Sequence, residues 1–473
     1  MLFNSSVFLL FVALLLPLYA LMQRVGARKA LLLVASYAFY AHWAWPYLFL
    51  LAGSTLVDWS VSRRLDGEQR PGRRRLLLLA SLLVNLGALA VFKYGNFLID
   101  SFVPAALLGA DARPLLPAEI PVGISFYTFQ TLSYTLDVHA RRRKACTSLL
   151  DFALYVSFFP QLVAGPIVRS TTLIPQLARL GALRMDDIAK GSQRFVLGLF
   201  KKVVIADNAS LFVDQVFANP GEHGAITLWC GAYAFAVQIY CDFSGYTDMA
   251  LGLGRAFGVT LPENFDAPYL SRSITEFWRR WHISLSTWLR DYLYIPLGGG
   301  RGSRTTVLRN LMLTMLLGGL WHGAAWTFVA WGALHGGLLA LERATGVRAR
   351  IDREGDARGG GAVGIAHMVV TFHLVCLAWV MFRSASFADM GAYLTRMATA
   401  WNDGIPTPDD AWLWAGVALG LAAVQAVLRG GGRRGPRLWE RFPPVVQGAG
   451  LALLVITVAA LRVDEVAFIY FQF

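Results

Sequence analysis

Charge is scarce in this chain: of 473 residues only 15% are Asp, Glu, Lys or Arg, where soluble domains carry about a quarter. That excludes an ordinary water-soluble enzyme. Cysteine is scarcer still. The four residues Cys146, Cys230, Cys241 and Cys376 include no C-x-x-C pair and no histidine at ligand spacing, so neither a disulfide framework nor a zinc site is supported. They read as small hydrophobes, and no metal is expected. The sequence also has no G-x-S-x-G nucleophile elbow, no H-E-x-x-H zinc helix and no Walker-type phosphate loop, which sets aside three common chemistries. The run Gly298-Gly299-Gly300-Arg301-Gly302 lacks a Lys-[Ser/Thr] ending and reads as a flexible turn. Internal repeats, frequent in transporters, are not visible either.

What is present is apolar: 56% of residues are hydrophobic and 13% aromatic, gathered in repeated long runs. The composition is that of a polytopic, all-α membrane protein. Lys+Arg 43 against Asp+Glu 30 gives a net charge of +13, which in a soluble protein would suggest nucleic acid. In a membrane protein it marks cytoplasmic loops, which are enriched in Arg and Lys; no nucleic-acid partner is expected, and lipid is.

The arginines then orient the spans. Met1 to Gln23 carries no charged side chain, and Arg24, Arg28 and Lys29 follow it. A secretory signal has the opposite polarity, so this reads as an uncleaved first span with its N-terminus outside. Leu31 to Trp43 runs outward, Tyr47 to Val61 returns to the basic loop Arg63–Arg75, and Leu76 to Phe92 goes out to a loop containing Pro104, Pro114 and Pro117. Val122 to Val138 then comes back to Arg141-Arg142-Arg143-Lys144. Later spans are expected at Ala366 to Phe382, Trp412 to Leu428 and Val445 to Leu461. The basic stretches Arg343–Arg358 and Arg429–Arg441 fall inside, and the acidic loop Ala385–Asp410 and the tail Arg462–Phe473 outside. At about 20 residues per span this makes roughly ten to twelve embedded helices, read as one membrane domain with sections 1–138, 148–343 and 365–473.

Ionisable groups inside such spans are functional candidates by default. The densest group lies between Gln238 and His335. Asp242, Ser244, Tyr246 and Asp248 alternate with apolar and aromatic residues, as the wall of a wet cavity or as a polar cluster between helices. Next, Trp278, Trp281, Leu285, Trp288 and Tyr292 form one stripe at about 100° per residue, with Arg279, Arg280 and Arg290 opposite. That pattern predicts an amphipathic helix at the membrane interface, His282 at the edge of its aromatic stripe. Third, His322 interrupts a long apolar run in which Gly319 and Gly323, and later Gly332 and Gly336, stand four apart. Small residues at that spacing bring helices close. A neutral imidazole in such a site titrates near neutral pH and suits a general base toward a hydroxyl; a histidine that only bonds across helices is the competing reading.

Trp278-Arg279-Arg280-Trp281-His282, Trp288-Leu289-Arg290-Asp291-Tyr292 and Gly319-Leu320-Trp321-His322-Gly323 together resemble the membrane-bound O-acyltransferase (MBOAT) family, in its bacterial branch that acetylates alginate. Phe92-Lys93-Tyr94, Pro121 to Tyr127, Ala164-Gly165-Pro166, Asp242 to Tyr246 and Phe468 to Phe473 extend the likeness; the variable parts are Arg343–Gly364 and Asp403–Asp410. The resemblance implies a helical bundle around a funnel or tunnel, with Asp242, Ser244, Tyr246, Asp248, Trp278, Trp281 and Trp321 as lining candidates. It implies His322 as the catalytic histidine and His282 as its partner. Acetyl-CoA would be the acyl donor, with no bound cofactor, and an exported polysaccharide the acceptor. A periplasmic acetyltransferase of the same pathway would complete delivery. Tyr470, among Phe468, Phe471 and Phe473, is either an acyl relay or part of an interfacial aromatic anchor. The expected location is the bacterial inner membrane. Two other functions stay open: D-alanyl transfer from a carrier protein to teichoic-acid-type acceptors, and polysaccharide transport without acyl chemistry.

Overall fold

The computed structural model describes residues 1–103, 120–347, 361–430, 442–463 and 468–469. The loop prolines Pro104, Pro114 and Pro117, most of the basic stretches Arg343–Arg358 and Arg429–Arg441, and Tyr470 with Phe471 and Phe473 lie outside them.

Among the described residues all regular structure is helical, as the apolar runs predict. Two compact units form: Met1–Phe195 with Tyr246–Pro262, and Val196–Gly245 with Glu263–Phe473. The division runs through the 148–343 section instead of at its ends. In the first unit, α1 (Ser6–Leu21), α2 (Val25–Ala44), α3 (Pro46–Gly67) and α4 (Pro71–Leu89) are followed by a π-helical turn, Ala90–Tyr94, and by α5 (Gly95–Phe102). α6 (Ile124–His139), α7 (Leu149–Ser157), α8 (Phe159–Leu162), α9 (Ser170–Leu177) and most of α10 (Met185–Phe200) complete it, with the end of α12 (Ala225–Ala256). Its core is aromatic: Phe8 stacks on Phe195 at 6.2 Å, meets Phe39 edge-on at 5.9 Å, and Phe3 stacks on Tyr246 at 4.5 Å.

Two of the arginines that the sequence reading assigns to cytoplasmic loops are buried. Arg74 donates to the carbonyls of Leu65, Glu68, Val138 and His139, and so caps the C-terminal ends of both α3 and α6, whose last carbonyls have no partner within their own helix. Arg28 donates to Met22 O, just past α1, at 2.8 Å and to Leu180 O, in the stretch that follows α9, at 3.3 Å. A cation at the negative end of a helix is stabilising by about 0.3–1 kcal/mol when exposed, and more when partly buried.

The second unit contains α11 (Asp207–Ala218), the start of α12, α13 (Ile274–Arg280), α14 (Ile283–Leu289), α15 (Arg304–His322), α16 (Trp326–Thr345), α17 (Ala362–Arg383), α18 (Phe387–Thr399), α19 (Asp409–Gly430) and α20 (Pro444–Ala460). Three stretches are long and apolar enough to cross a membrane by length and composition: Pro71–Phe102, Ala362–Arg383 and Asp409–Val427. Each leaves apolar side chains uncovered, including Leu79, Leu83, Val369, Val370, Leu419 and Val427, as a surface facing lipid would. α6 is the opposite case, buried on nearly every face, so its polar Gln130, Thr131 and Ser133 find partners within the unit.

Candidate active site

The segment from Thr275 to Tyr292 is not one interfacial helix. It is two short helices, α13 and α14, with a sharp break at His282, and then a π-helical turn, Arg290–Tyr294. The aromatic stripe faces protein, not headgroups: Trp278, Trp281, Leu285 and Trp288 are all buried, and so is Arg280, which pairs with Glu276. Periodicity alone cannot show this correction, because a buried helix and a surface helix present the same apolar spacing.

The break has a local cause. His282 adopts the left-handed conformation, φ 43°, ψ 55°, which costs a non-glycine residue on the order of 1–3 kcal/mol and persists only where surrounding bonds enforce it. Asn264 supplies them. Its carbonyl accepts Ile283 N–H at 3.0 Å, and its side-chain Oδ1 takes Ser284 N–H at 3.1 Å, Ser284 Oγ at 2.9 Å and His282 Nδ1 at 3.2 Å. A backbone N–H is only a donor, so Ser284 fixes which end of the Asn264 amide is oxygen. His282 Nδ1 therefore carries the hydrogen, and Nε2 presents the lone pair of the neutral ring.

α13 is fixed at its other end as well. Ser273 caps it by accepting Glu276 N–H at 3.1 Å, a capping-box start. Glu342 of α16 accepts Ile274 N–H at 2.5 Å and Thr275 N–H at 3.0 Å, a carboxylate placed at the positive end of a helix.

His322 is the last residue of α15. The pairing of α15 with α16 depends on the glycines noted in the sequence. A Cβ on Gly319 would run into the Phe328 carbonyl and one on Gly332 into the Met315 carbonyl, while one on Gly336 would lie 2.9 Å from Met312 Sδ. Only hydrogen at these positions lets the two backbones approach so closely. The His322 ring is then walled by Trp321 at 5.0 Å, Trp331 at 5.1 Å and Phe382 at 5.6 Å.

The two histidines meet. Their ring centroids are 6.5 Å apart, with Trp321 beside both and Phe243 edge-on to His282 at 4.7 Å; His282 is fully buried and His322 4% exposed. Of the lining candidates, Trp321 touches this pair. Trp278 stands one ring further out, its indole N–H donating to His335 Nδ1 at 3.3 Å. Trp281 serves as a core anchor, stacked on Phe277 at 5.6 Å and against Trp379 at 5.0 Å. The polar stretch of α12 divides between the two units. Asp242 is buried in an ion pair with Lys202 at 2.9 Å, and Ser244 is buried beside it in sequence. Tyr246 and Asp248 belong to the first unit, Asp248 bound to Arg194 at 2.9 Å.

Three participants escaped the sequence reading. Asn264 looks like an ordinary turn residue in Pro262-Glu263-Asn264-Phe265, and Lys202 like a helix-end cation. His335 was visible as a histidine between glycines but carried no pattern of its own.

The comparison with known proteins shows which family the chain belongs to. The family model "MBOAT, membrane-bound O-acyltransferase family" matches residues 121–352. The probable alginate O-acetylase AlgI of Pseudomonas aeruginosa is 46% identical over 391 residues, covering 81% of this chain and 72% of that protein. The chain belongs to the membrane-bound O-acyltransferase family. The peptidoglycan O-acetyltransferase of Helicobacter pylori is 39% identical over 382 residues, 75% of this chain and 71% of its own length. A teichoic acid D-alanyltransferase of Streptococcus thermophilus is 28% identical over 290 residues, 55% of this chain and 68% of its own. As an MBOAT member the chain is an all-α polytopic membrane O-acyltransferase, and transport without acyl chemistry falls away as a reading. The matched region contains both histidines, Asn264 and the α15–α16 glycines.

Proposed function

We propose that this protein transfers an acetyl group from cytosolic acetyl-CoA across the inner membrane for O-acetylation of an exported polysaccharide, of the alginate or cell-envelope type, with His322 as general base. The observation that carries the reading is the convergence of His282 and His322, from separate helices, into one buried aromatic pocket of an O-acyltransferase. In this reading the His322 ring nitrogen takes the proton of the acceptor hydroxyl, the oxygen attacks the thioester carbonyl, and the C–S bond breaks. The departing thiolate then recovers the proton, leaving CoA thiol. His282 accepts a hydrogen bond from a second hydroxyl of the acceptor through its Nε2 lone pair and so keeps the reacting hydroxyl in line. Dry aromatic walls suppress competing hydrolysis. The names of the relatives from Pseudomonas and Helicobacter support a polysaccharide acceptor.

His322→Ala is expected to lower acetyl transfer by about 10²–10⁴-fold, the usual contribution of a general base, in protein that inserts and elutes like wild type. Transfer within about twofold of wild type would overturn the assignment. Delivery to a periplasmic acetyltransferase through an acetylated Tyr470 belongs to the same reading. It requires a C-terminal peptide heavier by one acetyl under turnover, and activity surviving in Tyr470→Phe removes it. The D-alanyltransferase relative supports a second donor class, a D-alanyl carrier thioester. Purified protein given labelled acetyl-CoA or labelled D-alanyl carrier separates the two by which thioester it consumes.

A further inference from the structure

Between α10 and α11 the chain makes a π-helical turn, Lys201–Ala206. Such turns widen the helix, leave carbonyls open and are frequent at functional sites. Here the turn carries Lys202, which is 3% exposed and lies 2.7 Å from Asp207 Oδ1 and 2.9 Å from Asp242 Oδ1. Both carboxylates are buried too. A buried ion pair is weak evidence for stability, because well-packed apolar residues often do as well or better. The cluster therefore asks for another purpose.

The second oxygen of Asp242 supplies one: Oδ2 accepts the backbone N–H of Ile469 at 2.8 Å. Phe468 and Ile469 are each 1% exposed, so these two residues are packed into the second unit. A second tether comes from the same turn. Asn208 Nδ2 reaches the Val203 and Val204 carbonyls and also Leu461 O, each at 3.1 Å. The two bonds bracket the chain from Leu461 to Ile469. Phe468 packs on Phe243 at 5.9 Å, and Phe243, the neighbour of Asp242, is the ring that meets His282 edge-on at 4.7 Å.

We infer that Lys202 and Asp242 form a clasp that fixes the Phe468–Ile469 segment against the wall of the histidine pocket, and that both are positioning residues for delivery of the acyl group to its acceptor. Lys202 holds one carboxylate oxygen of Asp242, which leaves the other aimed at the Ile469 amide. Asp207 keeps Lys202 charged and in place when Asp242 is altered. The functional half of this inference rests on the acyl-transfer reading; the clasp itself does not.

The test uses full-length protein in nanodiscs of phosphatidylethanolamine and phosphatidylglycerol, as wild type, Asp242→Ala, Asp242→Asn and Ile469→Pro. The proline variant deletes the tethered N–H and leaves the ion cluster intact, so it serves if Asp242→Ala does not fold. Amide exchange at Ile469 is expected to accelerate at least about tenfold in Asp242→Ala and by less in Asp242→Asn, whose single amide oxygen serves either Lys202 or the Ile469 N–H. In Asp242→Ala and Ile469→Pro alike, kcat for transfer to the acceptor should fall at least about tenfold while KM for acetyl-CoA stays within about twofold. Unchanged exchange at Ile469 in Asp242→Ala overturns the clasp. Faster exchange with unchanged kcat, or KM rising in step with the fall in kcat, overturns the positioning role. Wild-type protein that consumes no acetyl-CoA defeats the donor assignment instead, and the exchange result still decides the clasp.

Discussion

A histidine with positive φ sits at the centre of the site, and one asparagine enforces both its backbone and its ring. Because Asn264 Oδ1 accepts from His282 Nδ1 at 3.2 Å and from Ser284 N–H at 3.1 Å, the neutral ring offers a lone pair at Nε2. Polarising a thioester carbonyl needs an N–H there and hence the protonated ring; accepting a hydrogen bond from a hydroxyl does not. Asn264→Ala removes the acceptor that sets this tautomer and leaves Ser284 N–H buried without its bond. The expected outcome is a loss of about 1–3 kcal/mol in stability and a fall in kcat of about 10–100-fold, with KM for the donor little changed. Steady-state kinetics on detergent-purified variant checks it; a kcat equal to wild type at matched folded fraction would make Asn264 a turn residue only. Part of this was legible in advance. His322 stood out as a polar residue in an apolar run, whereas His282 looked peripheral because its stripe was read as facing lipid. What moved it inward is a long-range bond set from Asn264, and no local pattern encodes a bond set of that range.

At the level of elements, spacing proved informative where contact is between small residues and uninformative where it is between large ones. The Gly319/Gly323 and Gly332/Gly336 pairs suggested a close helix pair, and α15 against α16 is that pair, although Gly323 lies just past the end of α15 and makes room for the Phe328 ring. Gly332→Val forces a β-branched side chain onto the Met315 carbonyl, a backbone atom that cannot swing away. Overpacking of this kind costs about 1–3 kcal/mol or more. It should displace α15 enough to remove His322 from its walls, so activity falls further than the thermal midpoint does. Thermal unfolding by size-exclusion, read beside acetyl transfer, measures both; an unshifted midpoint with full activity would mean that the two helices separate freely. The aromatic positions of α13 and α14 behaved differently. Trp278, Trp281 and Trp288 suit an interface or a core equally by chemistry, and the choice was made by Glu342, which ties the start of α13 to α16.

For the whole molecule, net charge and apolar content belong to one arrangement, yet the arginines divide into two kinds. Some, such as Arg63, Arg73 and Arg75, are exposed on α3 and α4 near the short turn between them, while Arg28 and Arg74 are buried on carbonyls at or just past helix ends. A count of basic residues treats both alike, so it says little about packing. The orientation itself is open to direct test within the second unit. Thr345, exposed at the end of α16, falls in a basic stretch, and Asn402, exposed beyond α18, falls in an acidic one; α17 lies between them and is one of the three long apolar helices. If Arg and Lys mark the cytoplasmic side, a membrane-impermeant maleimide added to intact spheroplasts should label Asn402→Cys and not Thr345→Cys, and permeabilisation should make the two equal. Cys146→Ser removes the one native thiol that is not buried. Labelling of Thr345→Cys alone would invert the protein. Equal labelling of both before permeabilisation would mean that α17 does not cross, and a donor thioester and an exported acceptor could then no longer reach the two histidines from opposite faces.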